Sequence, residues 1–246
     1  MISEKPEEIG QFLEWDSEFF GKRIARVNAS TLTPHTAQEL IEWVAANRID
    51  CVYFLASADD NLTTVCAEKN HFHLVDLRVT LTANLVGRQI NPSPDPSIRL
   101  ANESDVGELR RIAGLNHTNS RFFTDEHFDK EKCRELYEVW IEKSVKGMAD
   151  RVFVWDDNGR AVGYVTTIKT EEGIGSISLV GISPDFQGKG IGKKLIAAAL
   201  DYFVSRDLVS AKTVTQGRNT RALTLYQKNG FIAHSIELWY HKWFTE

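Results

Sequence analysis

Apolar residues in the last third of the chain recur with two different periods. At Ile191, Leu195, Ile196, Ala199, Leu200 and Phe203 the spacing is that of one helix face, which predicts an amphipathic helix running to about Ser205. Gly175–Ile182 and Ala211–Gln216 read as strands on either side of it. Thr220–Asn229 reads as a helix stopped by Gly230, and Phe231–Trp243 as a long final strand. Upstream, Ile98–Ala101 is a short strand, and Asn102 caps a helix through Leu115 with Leu109 and Ile112 inward. A helix over about 129–145 places Cys133, Leu136, Tyr137, Trp140 and Ile141 on one face. Arg151–Trp155 and Arg160–Thr170 flank Asp156-Asp157-Asn158-Gly159 and predict a hairpin. The fold class is therefore α/β.

Three of the six prolines fall in Asn91-Pro-Ser-Pro-Asp-Pro-Ser97. Each removes an N–H donor and restricts the residue before it, so 91–97 reads as a stiff linker. It would separate an N-terminal α/β part, 1–90, from a domain at 98–246. The first part echoes the end of the second. Cys51–Ala83 and Lys212–Lys242 each read strand, helix, a Lys-Asn-x-Phe stop and a long strand. Lys69-Asn70-His71-Phe72 matches Lys228-Asn229-Gly230-Phe231, so the N-terminal part reads as a half-copy without the glycine-rich loop described below.

Composition narrows the partners. A formal net charge of −5 with no basic run gives no support to nucleic acid as the partner. Cys51, Cys66 and Cys133 are scattered, with no CxxC spacing, and read as reduced core thiols, with no metal site. The opening MISEKPEEIGQF has no apolar signal segment, and no apolar run reaches the roughly 18 residues of a spanning helix. The expectation is a cytoplasmic protein with no membrane partner, for which a homodimer is one open assembly.

The chemistry centres on Gln187-Gly188-Lys189-Gly190-Ile191-Gly192, where a loop enters a helix. Helix starts carry unpartnered N–H groups and the positive end of the dipole, and glycine lets a backbone approach a phosphate. A mononucleotide loop would need Gly-Lys-Ser/Thr, which is absent. The dinucleotide fingerprint GxGxxG fails on its last interval and belongs after a first strand.

Gln187-x-x-Gly190-x-Gly192 resembles the acetyl-CoA loop Q/R-x-x-G-x-G/A of the GNAT superfamily of N-acetyltransferases. The element order over 98–246 is also similar to that family's. The resemblance implies a mixed, mostly antiparallel sheet with flanking helices, preceded by a smaller half-GNAT-like part. It also implies acetyl-CoA as cosubstrate, held by Val180, Ile182, Gln187, Gly188, Lys189 and Gly190. Ile191, Gly192, Lys193, Asn219 and Ala222 complete that set. A basic residue is expected where Leu225 stands. Tyr226, two helical turns from Asn219, would protonate the departing thiolate, and a backbone N–H near Leu179 or Val180 would bind the oxyanion.

Trp15–Gly21, Asn119–Phe128, Leu136–Gly147 and Thr215–Phe231 resemble the dTDP-fucosamine acetyltransferases. That likeness implies a small-molecule amine acceptor, a nucleotide-linked amino sugar, with Asn119, Arg121, Phe122 and Glu237 binding it. Arg121 would pair with a diphosphate. A GNAT enzyme acting on a protein or another small amine, and a non-catalytic acyl-CoA sensor, are the rival readings.

Overall fold

A computed structural model describes residues 8–170 and 172–244 of the chain. The chain divides into two compact units, Met1–Arg78 with Ile236–Glu246, and Val79–Ser235. The border between them falls inside two long strands.

In the first unit β1 (Gly10–Phe12), α1 (Glu14–Phe20), β2 (Ile24–Val27), α2 (Pro34–Asn47), β3 (Cys51–Ser57) and α3 (Asn61–Lys69) lead into β4 (His73–Asn84). β1 and β2 are antiparallel and β2 and β3 parallel. The end of the last strand, β10 (Ile232–Trp243), runs antiparallel to β3. Ala25, Val52, Phe54 and Tyr240 from the strands pack with Leu40 and Val44 of α2. α2 starts at a reciprocal cap between Thr33 and Thr36, with Pro34 in its first turn.

The second unit holds β5 (Ile98–Leu100), α4 (Val106–Asn116), α5 (Arg121–Thr124), α6 (Lys130–Lys143), β6 (Arg151–Asp157) and β7 (Arg160–Lys169). β8 (Gly175–Ile182), α7 (Ile191–Ser205), β9 (Ser210–Gln216) and α8 (Thr220–Gln227) follow. Its strands lie in the order β4-β9-β8-β7-β6-β5. β5 through β8 are antiparallel, while β8 and β9 are parallel, as the α7 crossover between them requires. The α/β expectation, with a mixed and mostly antiparallel sheet, holds. The β6–β7 turn sits on Asn158 and Gly159, both at positive φ (53° and 87°), the geometry a two-residue hairpin needs.

Adjacent residues of β7 face opposite ways, and so fix which helices cover which face. A Cβ on Gly163 would meet Leu195 of α7, whereas Tyr164 reaches His117 at the end of α4. α7 therefore covers one face and α4 the other. Ile191, Leu195, Ile196, Ala199, Leu200 and Phe203 of α7 enter one core with Leu81, Val165 and Ile177. Asn91–Ser97 lies within the second unit, held against α7 by Asp95 accepting from Lys194 at 2.8 Å.

The repeated stop signal has the same local geometry in both places. Asn70 donates its side-chain amide to the Cys66 carbonyl at 2.8 Å, and Asn229 does the same to Leu225 at 2.8 Å. His71 (φ 57°) and Gly230 (φ 88°) both turn left-handed, and Phe72 and Phe231 are both buried. Asp60 caps α3 as Asn219 caps α8. In this register Ala67 stands where α8 has Tyr226.

Phe203 is fully buried, and a Cβ added at Gly175 would lie 2.5 Å from its ring. Phe203→Ala should therefore cost about 3–5 kcal/mol, read as a lowered urea midpoint.

Candidate active site

β8 and β9 pair only from Gly175↔Ala211 to Ile177↔Thr213, and beyond that point β8 runs on to Ile182 without β9. The pairing of β7 with β8 also shifts between Val165 and Thr167. In this irregular stretch Leu179 donates its N–H to Thr166 Oγ1 at 2.9 Å. Of the two expected oxyanion donors, Leu179 is spent on its neighbour strand, and Val180 is left. Ser183 donates to the Val162 carbonyl of β7 at 2.8 Å. Strand alternation then turns the N–H groups of Ile182 and Val180 to the opposite, open side. Ile182 N–H donates to Asn116 Oδ1 at 3.3 Å, and the Ile182 carbonyl accepts from Gln187 Nε2 at 3.1 Å.

The loop that follows turns on two left-handed glycines, Gly188 (φ 78°) and Gly190 (φ 80°), and Gly190 is the N-cap of the 15-residue α7. No side chain caps this helix start, so its N–H groups and dipole are offered to an anion. Gly192 is small for a different reason. A Cβ there would come within 3.3 Å of Leu225. Leu225, where a basic residue was expected, packs against that glycine, and the cation beside the loop is Arg221, whose Nη1 donates to Gln187 Oε1 at 3.5 Å. The Gln187 side chain thus fastens the loop to β8 and α8. Lys189 lies over the Phe186 ring, Lys193 is exposed, and Ile191 is buried in the α7 core. Asn219 caps α8 by accepting from Ala222 N–H at 3.1 Å.

Tyr226 is buried beside Phe231, and burial pushes its phenol upward while a hydrogen bond with Thr213 pulls it back. Thr213 is the last residue of β9 that pairs with β8, and its hydroxyl already donates to the Ile177 carbonyl at 3.0 Å. Tyr226 thus stands beside Thr213, at the fork where the strands part. Tyr164 lies close by. A Cβ on Gly181 would sit 2.6 Å from its ring, and its hydroxyl meets His117 Nε2 at 2.9 Å. His117 stacks on Tyr137 with ring centroids 4.5 Å apart. It keeps partial surface access, but desolvation of its packed ring pushes it down to about 4, so it is neutral at pH 7.

The acceptor residues named from sequence are placed as follows. Asn119 is exposed in the turn after α4, and Arg121 sits over the ring of buried Phe122 at 4.1 Å. Glu237 belongs to the first unit, where it accepts from Arg78 at 2.9 Å. Sequence reasoning missed Asn116, Tyr164 and Arg221, and placed His117 only as the start of the acceptor segment 117–123. Nothing local marks them, because each acts on a partner far along the chain.

Residues 113–231 match the family described as "Acetyltransferase (GNAT) family". Over those residues, 119 of the chain's 246, the sequence is similar to a GNAT acetyltransferase. The GNAT-like fold extends over the chain in solved structures. A GCN5-related N-acetyltransferase from Sphaerobacter thermophilus superposes with TM-score 0.65 at 17% identity, covering 95% of this chain and 76% of that one. The dTDP-fucosamine acetyltransferase of Escherichia coli O6:H1 is 27% identical over 233 residues, 94% of this chain and 96% of that protein. Two other relatives are matched only in part. The spore coat polysaccharide biosynthesis protein SpsD of Bacillus subtilis is 27% identical over 56% of this chain, and the mycothiol acetyltransferase of Streptomyces griseus 29% over 62%. The chain spans about half the length of these two, 48% and 45%. Among the described residues no helix is long and apolar enough to cross a membrane.

Two outcomes follow from this geometry. Gly190→Ala forces a left-handed alanine at the helix cap and should cost about 1–2 kcal/mol, while acetyl-CoA binding measured by calorimetry should weaken further than this loss of stability explains. The folded value of His117, about 4, lies below its ordinary value of 6.5, so its contribution to stability is present above pH 6.5 and is lost as pH falls toward 4. Urea titrations should decline across that window with a slope approaching about 1.4 kcal/mol per pH unit, and His117→Gln should flatten it.

Proposed function

We propose that this chain transfers an acetyl group from acetyl-CoA to a primary amine, the 4-amino group of a dTDP-linked amino sugar. The observation that carries the transfer is the fork at Ile177 and Thr213, with Tyr226 at its base and the uncapped α7 start at its open end. The sugar rests on the dTDP-fucosamine acetyltransferase relative, matched nearly end to end.

The residues present fit the cosubstrate. Gly188, Gly190 and Gly192 give a diphosphate close access to the start of α7, with Lys189, Lys193 and Arg221 supplying positive charge near it. When bound, acetyl-CoA supplies a thioester carbonyl. Val180 N–H, directed to the open side of β8, donates to the oxygen that becomes negative as the amine adds. As the C–S bond breaks, Tyr226 gives its proton to the departing sulfur, and the proton that the nitrogen sheds on becoming an amide passes through water to restore the phenol. A buried phenol holds that proton more firmly than an exposed one, yet its acidity remains useful against a thiolate, whose acid has a pKa of about 8.5. Asn119, Arg121 and Phe122, on the segment after α4, are assigned to the acceptor.

Release of CoA from acetyl-CoA should be selective for a dTDP-4-amino-4,6-dideoxysugar over spermidine and a lysine peptide. Turnover of another amine alone would discard the sugar, and no turnover with retained acetyl-CoA binding would point to a sensor. Tyr226→Phe should lower kcat by about 10²–10⁴-fold. Burial raises the Tyr226 pKa and the acid works protonated, so deprotonation of Tyr226 should not cut the wild-type rate below about pH 10.

A further inference from the structure

The segment from Asn116 to Thr124 is tied at both ends to the two strands that part at the fork. At its start Asn116 Nδ2 donates to the Ile112 carbonyl at 2.8 Å, which fixes the amide orientation and directs Oδ1 to Ile182 N–H at the end of β8. At its finish Thr124 Oγ1 accepts from Arg218 Nη1 at 2.9 Å, and Arg218 lies in the turn that follows β9. Arg121 and Thr124 are three apart on the short helix α5, so they share a face. The guanidinium of Arg218 thus arrives at the side of α5 that also carries Arg121. Arg218 and Arg121, from distant parts of the chain, are brought to the same short helix. Between the ties, Ser120 is 3% exposed, and its hydroxyl has no hydrogen-bond partner among the described residues. A buried, unsatisfied hydroxyl within this segment is a second sign of a polar ligand.

We propose that Arg218, with Arg121, forms a fork for the diphosphate of the nucleotide-linked acceptor, and that Arg218 is the residue that favours such acceptors over simple amines. This rests on the acetyltransferase reading above. Guanidinium groups match phosphate oxygens in planar pairs, and Thr124 holds Arg218 in place before the acceptor arrives. Lys189, Lys193 and Arg221 lie at the glycine loop and are left to the donor.

The test is calorimetric titration of dTDP into the full chain, with CoA at saturating concentration to fill the donor cradle. Wild type should bind dTDP, Arg218→Gln should weaken it about tenfold to hundredfold, and Arg218→Lys should recover part of the loss. The CoA affinity of each variant should stay within twofold of wild type. No dTDP binding by wild type, equal binding by Arg218→Gln, or a loss of CoA affinity in its place would each overturn the fork. Normal dTDP binding without turnover of the dTDP-amino sugar would leave the fork standing and discard the sugar as substrate.

Discussion

Everything at the active site depends on where the parallel pairing of β8 and β9 stops. Three residue pairs, ending at Ile177↔Thr213, hold the strands together, and past them the backbone of β8 has an open edge. An unpaired edge is a liability in most sheets, because its N–H and C=O groups recruit other strands. Here the edge is short and partly occupied. Asn116 and Gln187 present side-chain amides to Ile182, one accepting and one donating, much as a neighbouring strand would. Val180, one repeat earlier, is left facing the opening.

The helix that follows β8 supplies the electrostatics. α7 is anchored by a fully apolar inner face, so its N-terminus is held firmly while its loop remains side-chain-poor. The glycines serve distinct needs. Gly188 and Gly190 are required by left-handed backbone, Gly192 by the approach of Leu225, and Gly181 by the ring of Tyr164 behind β8. A single sequence rule about flexible glycines would have merged these constraints.

The half-copy in the first unit shows how much of this arrangement is local and how much is not. α3 and α8 are capped, stopped and turned by equivalent residues, down to the same asparagine-to-carbonyl bond. The parallel pairing is short in both places too, three pairs ending at Arg26↔Tyr53 for β2 and β3 and at Ile177↔Thr213 for β8 and β9, yet α3 carries Ala67 where α8 carries Tyr226. The same helix and stop signal can therefore build a plain packing unit or one wall of a site. The difference lies in one side chain, Ala67 against Tyr226, and in the glycine-rich loop that only the second unit has.

Local signals in the sequence determined the elements. Periodicity, the caps at Asn102, Asp129 and Asn219, the Asn158-Gly159 turn and the glycine loop each act within a few residues, so the strand and helix order and the anion cradle at α7 were legible. Tyr226 was singled out by the resemblance to the GNAT family, and its spacing from Asn219 added only that the two share a helix face. The tertiary structure decided the rest. Which N–H of β8 stays open followed from Thr166 taking Leu179, a contact 13 residues apart. Asn116 reaches Ile182 across 66 residues, His117 reaches Tyr164 across 47, and Arg218 reaches Thr124 across 94. Such bonds depend on strand register and helix placement, which no short window of sequence encodes. A run of residues specifies its own backbone conformation, but the partner of a side chain is set by how the whole core packs.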